Sequence, residues 1–408
     1  MSGSPWLLRL LRSSRSWRWP ARSLRHLLVV GSMLLGVSGA GAVAYPLQVV
    51  DLAGRTVVVQ RAPQRIFLQN GNDLMTLTLL EREDPFARLA GWDNGLGDSD
   101  PSIWQLVRQR WPSADRVPLL DFDNSGHVDL EALVRLRPDL VLADITARSA
   151  IEGGPIGPIL ERLGIALLYI DSSRDPVGNV QRTIALLGKV LDREQRAEDY
   201  LRFYRQRFDA LQAGIALERH RPDVFIEIRA GRMGLDQCCY SQGKTSWGLL
   251  IAAVGGRNIA TRLLSGATGD IPLETLIRLQ PDVYLMTGTQ RIRRGAHSVP
   301  FGYGASEDAA QAGISALMAR PGFSATAKAP GARVHALYHQ FYNSAFNIVA
   351  LEYLAQALYP QRFAELTPDA TYRELIARFT TLPDAPFVFR ATRAYSGAAY
   401  HPDQLFDR

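Results

Sequence analysis

A thirteen-residue passage occurs twice in this chain and constrains the fold more than any other feature. The first copy, LEALVRLRPDLVL, covers residues 130–142, the second, LETLIRLQPDVYL, covers residues 273–285, and eight of the thirteen paired positions are identical. Each copy has the pattern of a helix end, a Pro-Asp turn that cannot continue the helix, and a buried strand. The spacing of 143 positions is too long for a solenoid, whose repeats take about 20 to 50 residues. Although such connections are common, the repeat favours two similar α/β lobes with a cleft between them.

The basic charge of the chain is confined to its first 44 residues. The sequence has 46 Lys and Arg against 40 Asp and Glu, and six of the arginines lie in residues 1–44, which contain no Lys and no acid. The remaining residues therefore balance, with 46 − 6 = 40 bases against 40 acids. Because polyanion binding depends on clustered Lys and Arg, this neutral body argues against a nucleic-acid partner.

The same 44 residues have the three parts of an export signal. An Arg-rich start is followed by an apolar stretch over residues 27–37 and by small residues that end in Ala42-Val43-Ala44 before Tyr45. The apolar stretch is shorter than the roughly 20 residues that span a bilayer. We therefore expect cleavage after Ala44 and a periplasmic mature protein, with an uncleaved membrane anchor as the alternative. The only cysteines are Cys238 and Cys239, so none follows the cleavage site to carry a lipid.

Strands and helices alternate along the mature chain, which favours parallel sheets. A hairpin is expected over residues 47–60 with its turn at Ala53-Gly54, and the other expected strands are 65–69, 86–92, 140–144, 166–171, 223–228, 282–287 and 333–337. From Pro176 to Leu217 the pattern is purely helical, and Gly188 and Asp192 are positions that allow a bend. The expected divisions are a signal peptide (1–44), an N-terminal α/β lobe (45–173), a linker helix (174–217), a C-terminal α/β lobe (218–383) and a tail (384–408).

Five segments of the mature chain share the order and spacing of a known family. They are PQRIFLQNGNDLMTL (63–77), DLEALVRLRPDLVL (129–142), DPVGNVQRTIALLGKVLDREQRAE (175–198), VGGRNIA (254–260) and PLETLIRLQPDVYL (272–285). Together they resemble the periplasmic binding proteins of ABC importers for iron complexes, which handle ferric siderophores, haem and cobalamin. Two further segments, 238–248 and 339–355, resemble a subset of these proteins for iron-siderophore uptake. The resemblance implies a monomer of two Rossmann-like lobes with central parallel sheets, bridged by one long rigid helix, with the ligand held between the lobes.

The strand ends indicate where a ligand would bind, because ligands of open parallel sheets bind beyond the carboxyl ends of the strands. The loops at these ends are aromatic and basic. Arginines there could make charge-assisted bonds to an anionic chelate, and aromatic rings could pack on flat ligand surfaces. Solvated surface for the arginines and core packing for the rings are the competing interpretations. The candidates are Trp92, Arg148, Arg229, Tyr240, Trp247, Arg291, Arg294, Tyr338, His339 and Tyr342.

The sequence gives little support for a bare-metal site, a nucleotide site or a catalytic site. The histidines after the signal show no HxH spacing, and the one HxxxH pair, His335 and His339, falls on and after the expected strand 333–337 and not on a helix, so a bare-metal site finds little support. His339 is either a haem ligand or a structural hydrogen-bonder. The GKT of residues 243–245 lacks the glycine that a phosphate-binding loop requires at the position of Cys238. No G-x-S-x-G elbow is present. We therefore expect no enzymatic activity, no resident metal and no covalently bound cofactor, with iron only as part of the ligand.

Two local features remain open in the sequence. Cys238 and Cys239 are adjacent, so they form either a strained vicinal disulfide or two free thiols. A soft-metal site is a third and less favoured interpretation, because two adjacent sulfurs alone rarely complete one. The family resemblance also implies one acidic residue in each lobe that docks to the permease. Asp73 matches the first of these acids, but the second would fall near Leu249, where the sequence has no acid.

The sequence thus predicts a periplasmic solute-binding protein that captures a ferric siderophore or a similar iron complex. It would deliver this ligand to an inner-membrane ABC permease with its ATPase. Haem or cobalamin is the alternative ligand. A periplasmic sensor or scaffold without a transport role is the alternative of another class.

Overall fold

The structure, a computed structural model, describes residues 44–235, 238–290, 297–329 and 332–395. Its N-terminal lobe alternates strands and helices as predicted. The strands are β1 (Leu47–Val50), β2 (Thr56–Val59), β3 (Ile66–Leu68), β4 (Leu89–Trp92), β5 (Leu140–Asp144) and β6 (Ala166–Ile170). The helices are α1 (Leu74–Leu80), α2 (Gly95–Ser99), α3 (Pro101–Arg110), α4 (Leu130–Arg135), α5 (Arg148–Gly153) and α6 (Ile156–Arg162).

A four-stranded parallel sheet in the order β4-β3-β5-β6 forms the centre of this lobe. Ile66 of β3 pairs with Leu140 of β5, which pairs with Ala166 of β6. Every residue of β5 is buried, as expected where both faces of a parallel sheet are covered. The antiparallel β1–β2 hairpin turns at Ala53-Gly54 as predicted, with Gly54 at a φ of 78°, which glycine adopts without strain.

Two helices, α7 (Asn179–Val190) and α8 (Glu194–Ala216), join the lobes, which corrects the prediction of one long helix over residues 174–217. The break includes Asp192, whose φ of 56° lies in the left-handed region. The helices approach closely beside it, because a Cβ on Gly188 would lie 2.5 Å from the Cβ of Ala197. The bend that the sequence allows at Gly188 and Asp192 therefore divides the linker into two helices.

The C-terminal lobe follows α8 and also alternates strands and helices. Its strands are β7 (Asp223–Glu227), β8 (Tyr240–Gln242), β9 (Arg257–Asn258), β10 (Thr268–Asp270), β11 (Val283–Gly288), β12 (Gly302–Tyr303), β13 (Arg333–Tyr338), β14 (Phe387–Val388) and β15 (Arg390–Ala394). Its helices are α9 (Trp247–Ala253), α10 (Ala260–Leu263), α11 (Leu273–Leu279), α12 (Glu307–Met318), α13 (Asn347–Leu358) and α14 (Pro368–Phe379).

The central sheet of this lobe has five strands in the order β15-β13-β11-β7-β9. Neighbouring strands of this sheet run parallel to each other, except that β15 runs antiparallel to β13. The predicted tail over residues 384–408 is therefore wrong for its first part, because β14 and β15 belong to the folded lobe. Residues 396–408 and the predicted signal up to residue 43 lie outside the described residues. Within the described ranges, no helix is long and apolar enough to cross a membrane.

The repeated passage has the same structure in both lobes, running from α4 into β5 and from α11 into β11. Both helices are followed by a non-glycine residue in the left-handed region, Arg137 at a φ of 48° and Gln280 at a φ of 42°. The Asp of each Pro-Asp turn accepts a backbone N–H at the start of the adjacent strand, Asp139 at 3.0 Å and Asp282 at 2.8 Å. The predicted two-lobed α/β fold is confirmed, and the equivalence of the lobes extends to single hydrogen bonds.

Candidate functional site

Residues that follow the strands of one sheet contact residues that follow the strands of the other. Gln340, after β13, donates Nε2 to the carbonyl of Ser99 at 2.9 Å. Ser246, before α9, donates its hydroxyl to the carbonyl of Ser173, after β6, at 2.8 Å. The carboxyl ends of the two sheets therefore meet at one interlobe face, which is where the topology places a ligand.

A cavity of about 370 Å³ lies beside the end of β7, and all the residues that line it belong to the C-terminal lobe. Its basic and aromatic lining comes from Arg229, Arg232 and Tyr240. The Arg232 guanidinium lies 4.0 Å from the centroid of the Tyr240 ring, which is within the range of a cation–π contact. Two guanidinium groups and a partly exposed phenol ring can together bind an anionic ligand with flat surfaces. Of the predicted candidates, Arg229 and Tyr240 line this cavity.

The backbone at Arg229 is held in a special conformation by Thr287. Arg229 has a φ of 47°, in the left-handed region, and its N–H donates to the Thr287 hydroxyl at 2.7 Å. The same hydroxyl lies 3.0 Å from Nδ1 of His339. One buried side chain on β11 thus positions the cationic residue after β7 and the imidazole after β13.

The imidazole of His339, next to the Thr287 hydroxyl, is neutral. It is 3% exposed, and burial is the main reason that the pKa of its imidazole falls well below the usual range. The positive charges of Arg229 and Arg232 lower this pKa further. The arginines, and not the histidine, therefore supply the positive charge of the site.

Tyr342 follows β13 and interacts electrostatically with charged residues of both lobes. It is half-buried, and burial raises the pKa of its hydroxyl, opposed by the charge of Arg229 and assisted by that of Asp144. Asp144 ends β5 and accepts hydrogen bonds from Asn70 at 3.3 Å and from the Ser173 hydroxyl at 3.2 Å. Tyr342 is therefore a third predicted candidate at the interlobe face, between a cationic and an anionic residue.

Three aromatic candidates lie in the protein interior, so their prediction as ligand contacts is corrected. Trp92 is fully buried, with its ring 5.3 Å from that of Trp104, because every residue of β4 is covered. Trp247 is fully buried beneath Tyr342, at 6.2 Å between ring centroids. Tyr338 is 3% exposed, and its hydroxyl donates to the Asp100 carboxylate of the other lobe. Tyr338 thus joins the lobes.

Arg148 does not line the cavity, so its prediction as a ligand contact is also corrected. Its Nε lies 3.0 Å from Oε2 of Glu152, and its Nη1 donates to the carbonyl of Ala53 in the β1–β2 turn at 3.2 Å. The guanidinium is thereby directed toward the hairpin. Arg291 and Arg294, the two remaining arginine candidates, lie outside the described residues.

Asp73 is buried, which contradicts its prediction as a docking residue. It is 1% exposed, whereas a residue that docks to another protein must reach the surface. Burial raises the pKa of its carboxyl well above the usual range, assisted by the charge of Asp144 and opposed by a hydrogen bond with Ser172. Asp73 is therefore a buried acid of the N-terminal lobe and not a surface residue.

Other features of the site could not be read from the sequence. Glu227 and Arg320 form a buried ion pair beneath the cavity, at 2.6 Å between Oε2 and Nη2. Because these residues are 93 positions apart, no local pattern could indicate the pair. Cys238 and Cys239 are joined as a disulfide in the structure, which is one of the states that the sequence left open. Arg232, by contrast, could have been predicted as a site residue, because it lies in the loop after a predicted strand.

Two known proteins of similar sequence are named as binding proteins. A "Cobalamin-binding protein" of Halobacterium salinarum is 23% identical over 258 residues, which span 62% of this chain and 62% of that protein. An "Uncharacterized ABC transporter substrate-binding lipoprotein YvrC" of Bacillus subtilis is 22% identical over 249 residues, 60% of this chain and 69% of that protein. Neither relative is named as an enzyme.

Solved structures share the fold. The "TroA-like Periplasmic Binding Protein FepB" of Veillonella parvula superposes with a TM-score of 0.75 at 22% identity, covering 85% of this chain and 99% of that one. The molybdate-binding protein MolA of Haemophilus influenzae has a TM-score of 0.59 at 14% identity, covering 82% and 97%. The family model described as "Periplasmic binding protein" matches residues 87–331, more than half of the sequence. The chain therefore belongs to the periplasmic binding protein family.

Proposed function

We propose that this protein captures an anionic ferric chelate, foremost a ferric siderophore, between its lobes. The observation that carries the proposal is the 370 Å³ cavity lined by Arg229, Arg232 and Tyr240. Siderophore groups such as carboxylate, catecholate and hydroxamate present oxygen atoms, which the planar donor fork of arginine is suited to bind. Flat catecholate rings would also find an aromatic partner in Tyr240.

The charge around the cavity supports an anionic ligand over a bare metal ion. Its acidic lining residues are Glu227 and Asp270. The Glu227 carboxylate is already paired with the Arg320 guanidinium at 2.6 Å, so it adds little negative potential. Asp270 is exposed at the end of β10. The two arginines therefore outweigh the available acid, which favours a ligand with negative charge.

The proposed transport role rests on the family of the protein and on the signal-like pattern of residues 1–44. Substrate-binding proteins of ABC importers deliver their ligand to a permease with its ATPase, and we assign this chain the same role in the periplasm. Cleavage after Ala44 would release the mature protein from the membrane. Sequencing the N-terminus of the periplasmic protein tests this, and recovery of an intact N-terminus with the membrane fraction would contradict it. The docking acids stay unassigned, because Asp73 is buried.

Cobalamin and haem are the second candidates. The archaeal relative named as a cobalamin-binding protein favours cobalamin. Haem ligation by His339 is disfavoured, because the imidazole is 3% exposed and lies 3.0 Å from the Thr287 hydroxyl through Nδ1. A sensor or scaffold role without transport is the candidate of another class, and a neighbouring histidine-kinase gene would favour it.

A ligand panel tests the proposal directly. The mature protein is titrated with ferric chelates of the three oxygen-donor classes, with haem, with cobalamin and with the metal-free chelators, while intrinsic tryptophan emission is followed. We expect saturable binding of at least one ferric chelate and weaker binding of the free ions Fe(III), Zn(II) and Mn(II). Tighter binding of a free ion, or of cobalamin or haem than of every ferric chelate, would refute the siderophore assignment.

A further inference from the structure

The Cys238–Cys239 disulfide lies beside a buried carboxylate at the wall of the cavity. One ligand atom each from Glu227, Cys238 and Cys239 lies within 4.8 Å of the others. Cys239 is anchored by two backbone hydrogen bonds with Ile271, at 3.0 and 3.1 Å. Cys238 is half-buried and, with Glu227, lines the cavity. A small solute in the cavity therefore reaches both a sulfur and a carboxylate.

The Glu227 carboxylate is fixed in position but not saturated. Arg320 donates Nη1 to Oε1 at 2.7 Å and Nη2 to Oε2 at 2.6 Å, and the Tyr284 hydroxyl donates to Oε2 at 2.9 Å. Since a carboxylate offers about four acceptor sites, these three bonds leave one site on Oε1. While the sulfurs are joined, the charges of Glu227 and Arg320 cancel, so the oxidised cluster does not attract a cation.

We propose that this cluster is a redox-controlled site for a thiophilic divalent metal ion such as Zn²⁺. A dithiol reductant transfers two electrons and two protons to the disulfide, whose S–S bond breaks to give two thiols while the reductant itself becomes a disulfide. Metal binding then releases both thiol protons. Two thiolates, the Glu227 carboxylate, the Arg320 guanidinium and the divalent ion sum to zero charge.

The surroundings fit a thiolate and a metal ion. The Tyr284 hydroxyl lies 3.4 Å from Sγ of Cys239, so its single proton can turn from Oε2 of Glu227 to a thiolate when the metal ion takes the carboxylate. Cysteine sulfur and carboxylate oxygen are both ordinary ligands of Zn²⁺, whose tetrahedral sites take four ligands. Glu227, Cys238 and Cys239 supply three of these, and the adjoining cavity has room for a water molecule as the fourth.

Metal titration of the two redox states tests the proposal. The mature protein is reduced anaerobically with a phosphine, freed of reductant, and titrated with Zn²⁺ by calorimetry and with Cd²⁺ by thiolate charge-transfer absorbance. Mass spectrometry checks that reduction adds two hydrogens. We expect one ion per reduced chain and no binding to the oxidised chain. Equal binding by both states would overturn the proposal, and so would a reduced chain that binds no ion.

Variants locate the site. Cys238→Ser and Cys239→Ser retain the shape of the loop and should each abolish Zn²⁺ binding. Tyr284→Phe removes the hydroxyl next to Cys239 and should weaken Zn²⁺ binding by about tenfold to a hundredfold, as loss of a supporting hydrogen bond does. Zn²⁺ binding by either serine variant at the parental affinity would overturn the proposal. These titrations contain no chelate, so their failure would not bear on the proposed chelate binding.

Discussion

Arg232 and Arg148 show how the surroundings of an arginine decide what it can bind. The Arg232 guanidinium lies over the Tyr240 ring at 4.0 Å and borders the cavity. Arg148 instead bonds Glu152 at 3.0 Å and the carbonyl of Ala53 at 3.2 Å. A guanidinium held by a carboxylate and a carbonyl has fewer donors for a ligand, whereas one stacked on a ring keeps its edge donors available.

The first prediction compares these two residues. Arg232→Ala should weaken binding of the ferric chelate by about tenfold to a hundredfold, because a hydrogen bond to a charged group contributes roughly 1.5 to 3 kcal/mol. Arg148→Ala is the matched control and should bind like the parent. Fluorescence titration of both variants measures this. Equal losses in the two variants would show that the cavity is not the ligand site.

Ionisation of the buried Asp73 carboxyl opposes folding. Its carboxyl is 1% exposed, and burial with the nearby Asp144 charge raises its pKa well above 3.8. For an acid whose pKa is raised by folding, the folded state is most stable below the unfolded pKa and loses stability as the pH rises through the folded pKa. The contribution of the Asp73 carboxyl to the free energy of unfolding should therefore fall as the pH rises above 4.

The second prediction concerns Asp73→Asn. The amide keeps the size of the carboxyl but cannot ionise, so it should raise the free energy of unfolding at pH 7.5 by about 1 to 3 kcal/mol. The gain should shrink toward pH 4, because the carboxyl of the unfolded chain, with a pKa of about 3.9, is itself about half protonated there. Urea unfolding of parent and variant at the two pH values measures this. A gain that is the same at both values would contradict a raised pKa.

Single-residue roles were only partly readable from the sequence. The pairing of Arg148 with Glu152 follows from their i,i+4 spacing on a helix, which sequence inspection can detect. The raised pKa of Asp73 depends on its burial and on the charge of Asp144, which lies 71 positions away in the sequence. The interior position of Trp92 and Trp247 depends on the helices that cover them. Contacts between distant segments leave no local pattern.

At the scale of elements, the junction of α7 and α8 is the tightest point of the linker. A methyl carbon added at Gly188 would lie only 2.5 Å from the Cβ of Ala197, whereas one added at Gly153, at the end of α5, would have nothing within 4 Å. Both glycines are helical, so the same substitution probes close packing at one place and an open surface at the other.

The third prediction uses this pair. Gly188→Ala should lower the free energy of unfolding by about 1 to 3 kcal/mol, because the helices must separate to admit the methyl group. Gly153→Ala should leave it unchanged or raise it by about 0.4 to 1 kcal/mol through reduced freedom of the unfolded chain. Chemical denaturation measures both changes. A tolerated Gly188→Ala would show that α7 and α8 can shift apart at little cost.

Elements with a strong local pattern were predictable, and those that depend on distant partners were not. The β1–β2 hairpin, β5, β6, β7, β11 and β13 follow from apolar runs bounded by turn residues. β15 was missed, because Arg390–Ala394 is polar in sequence and becomes a strand by pairing with β13. The edge of a sheet can accept such a segment, since it needs only backbone hydrogen bonds.

On the scale of the whole molecule, several hydrogen bonds connect the two lobes and their linker. Ser246 and Gln340 donate to N-terminal-lobe carbonyls at 2.8 and 2.9 Å. Asn347 donates to the carbonyl of Pro176 at 2.7 Å. On α8, the hydroxyl of Tyr200 donates to the carbonyl of Ala345 in the C-terminal lobe. A large rotation of one lobe would break several of these bonds together.

The last prediction is therefore that ligand binding closes the cleft only slightly. Large hinge closure requires a few linker residues that absorb changes in φ and ψ, whereas here two packed helices and the interlobe hydrogen bonds resist it. Small-angle scattering of the mature protein, with and without the ferric chelate, should give radii of gyration that differ by less than about 1 Å, out of roughly 20 Å for a compact chain of this length. Tyr338→Phe, which removes the bond to Asp100 between the lobes, is the matched variant and should show the larger change. A decrease of more than about 1 Å in the parent on binding would mean that the interlobe bonds open and reform during capture, with the hinge at the α7–α8 junction.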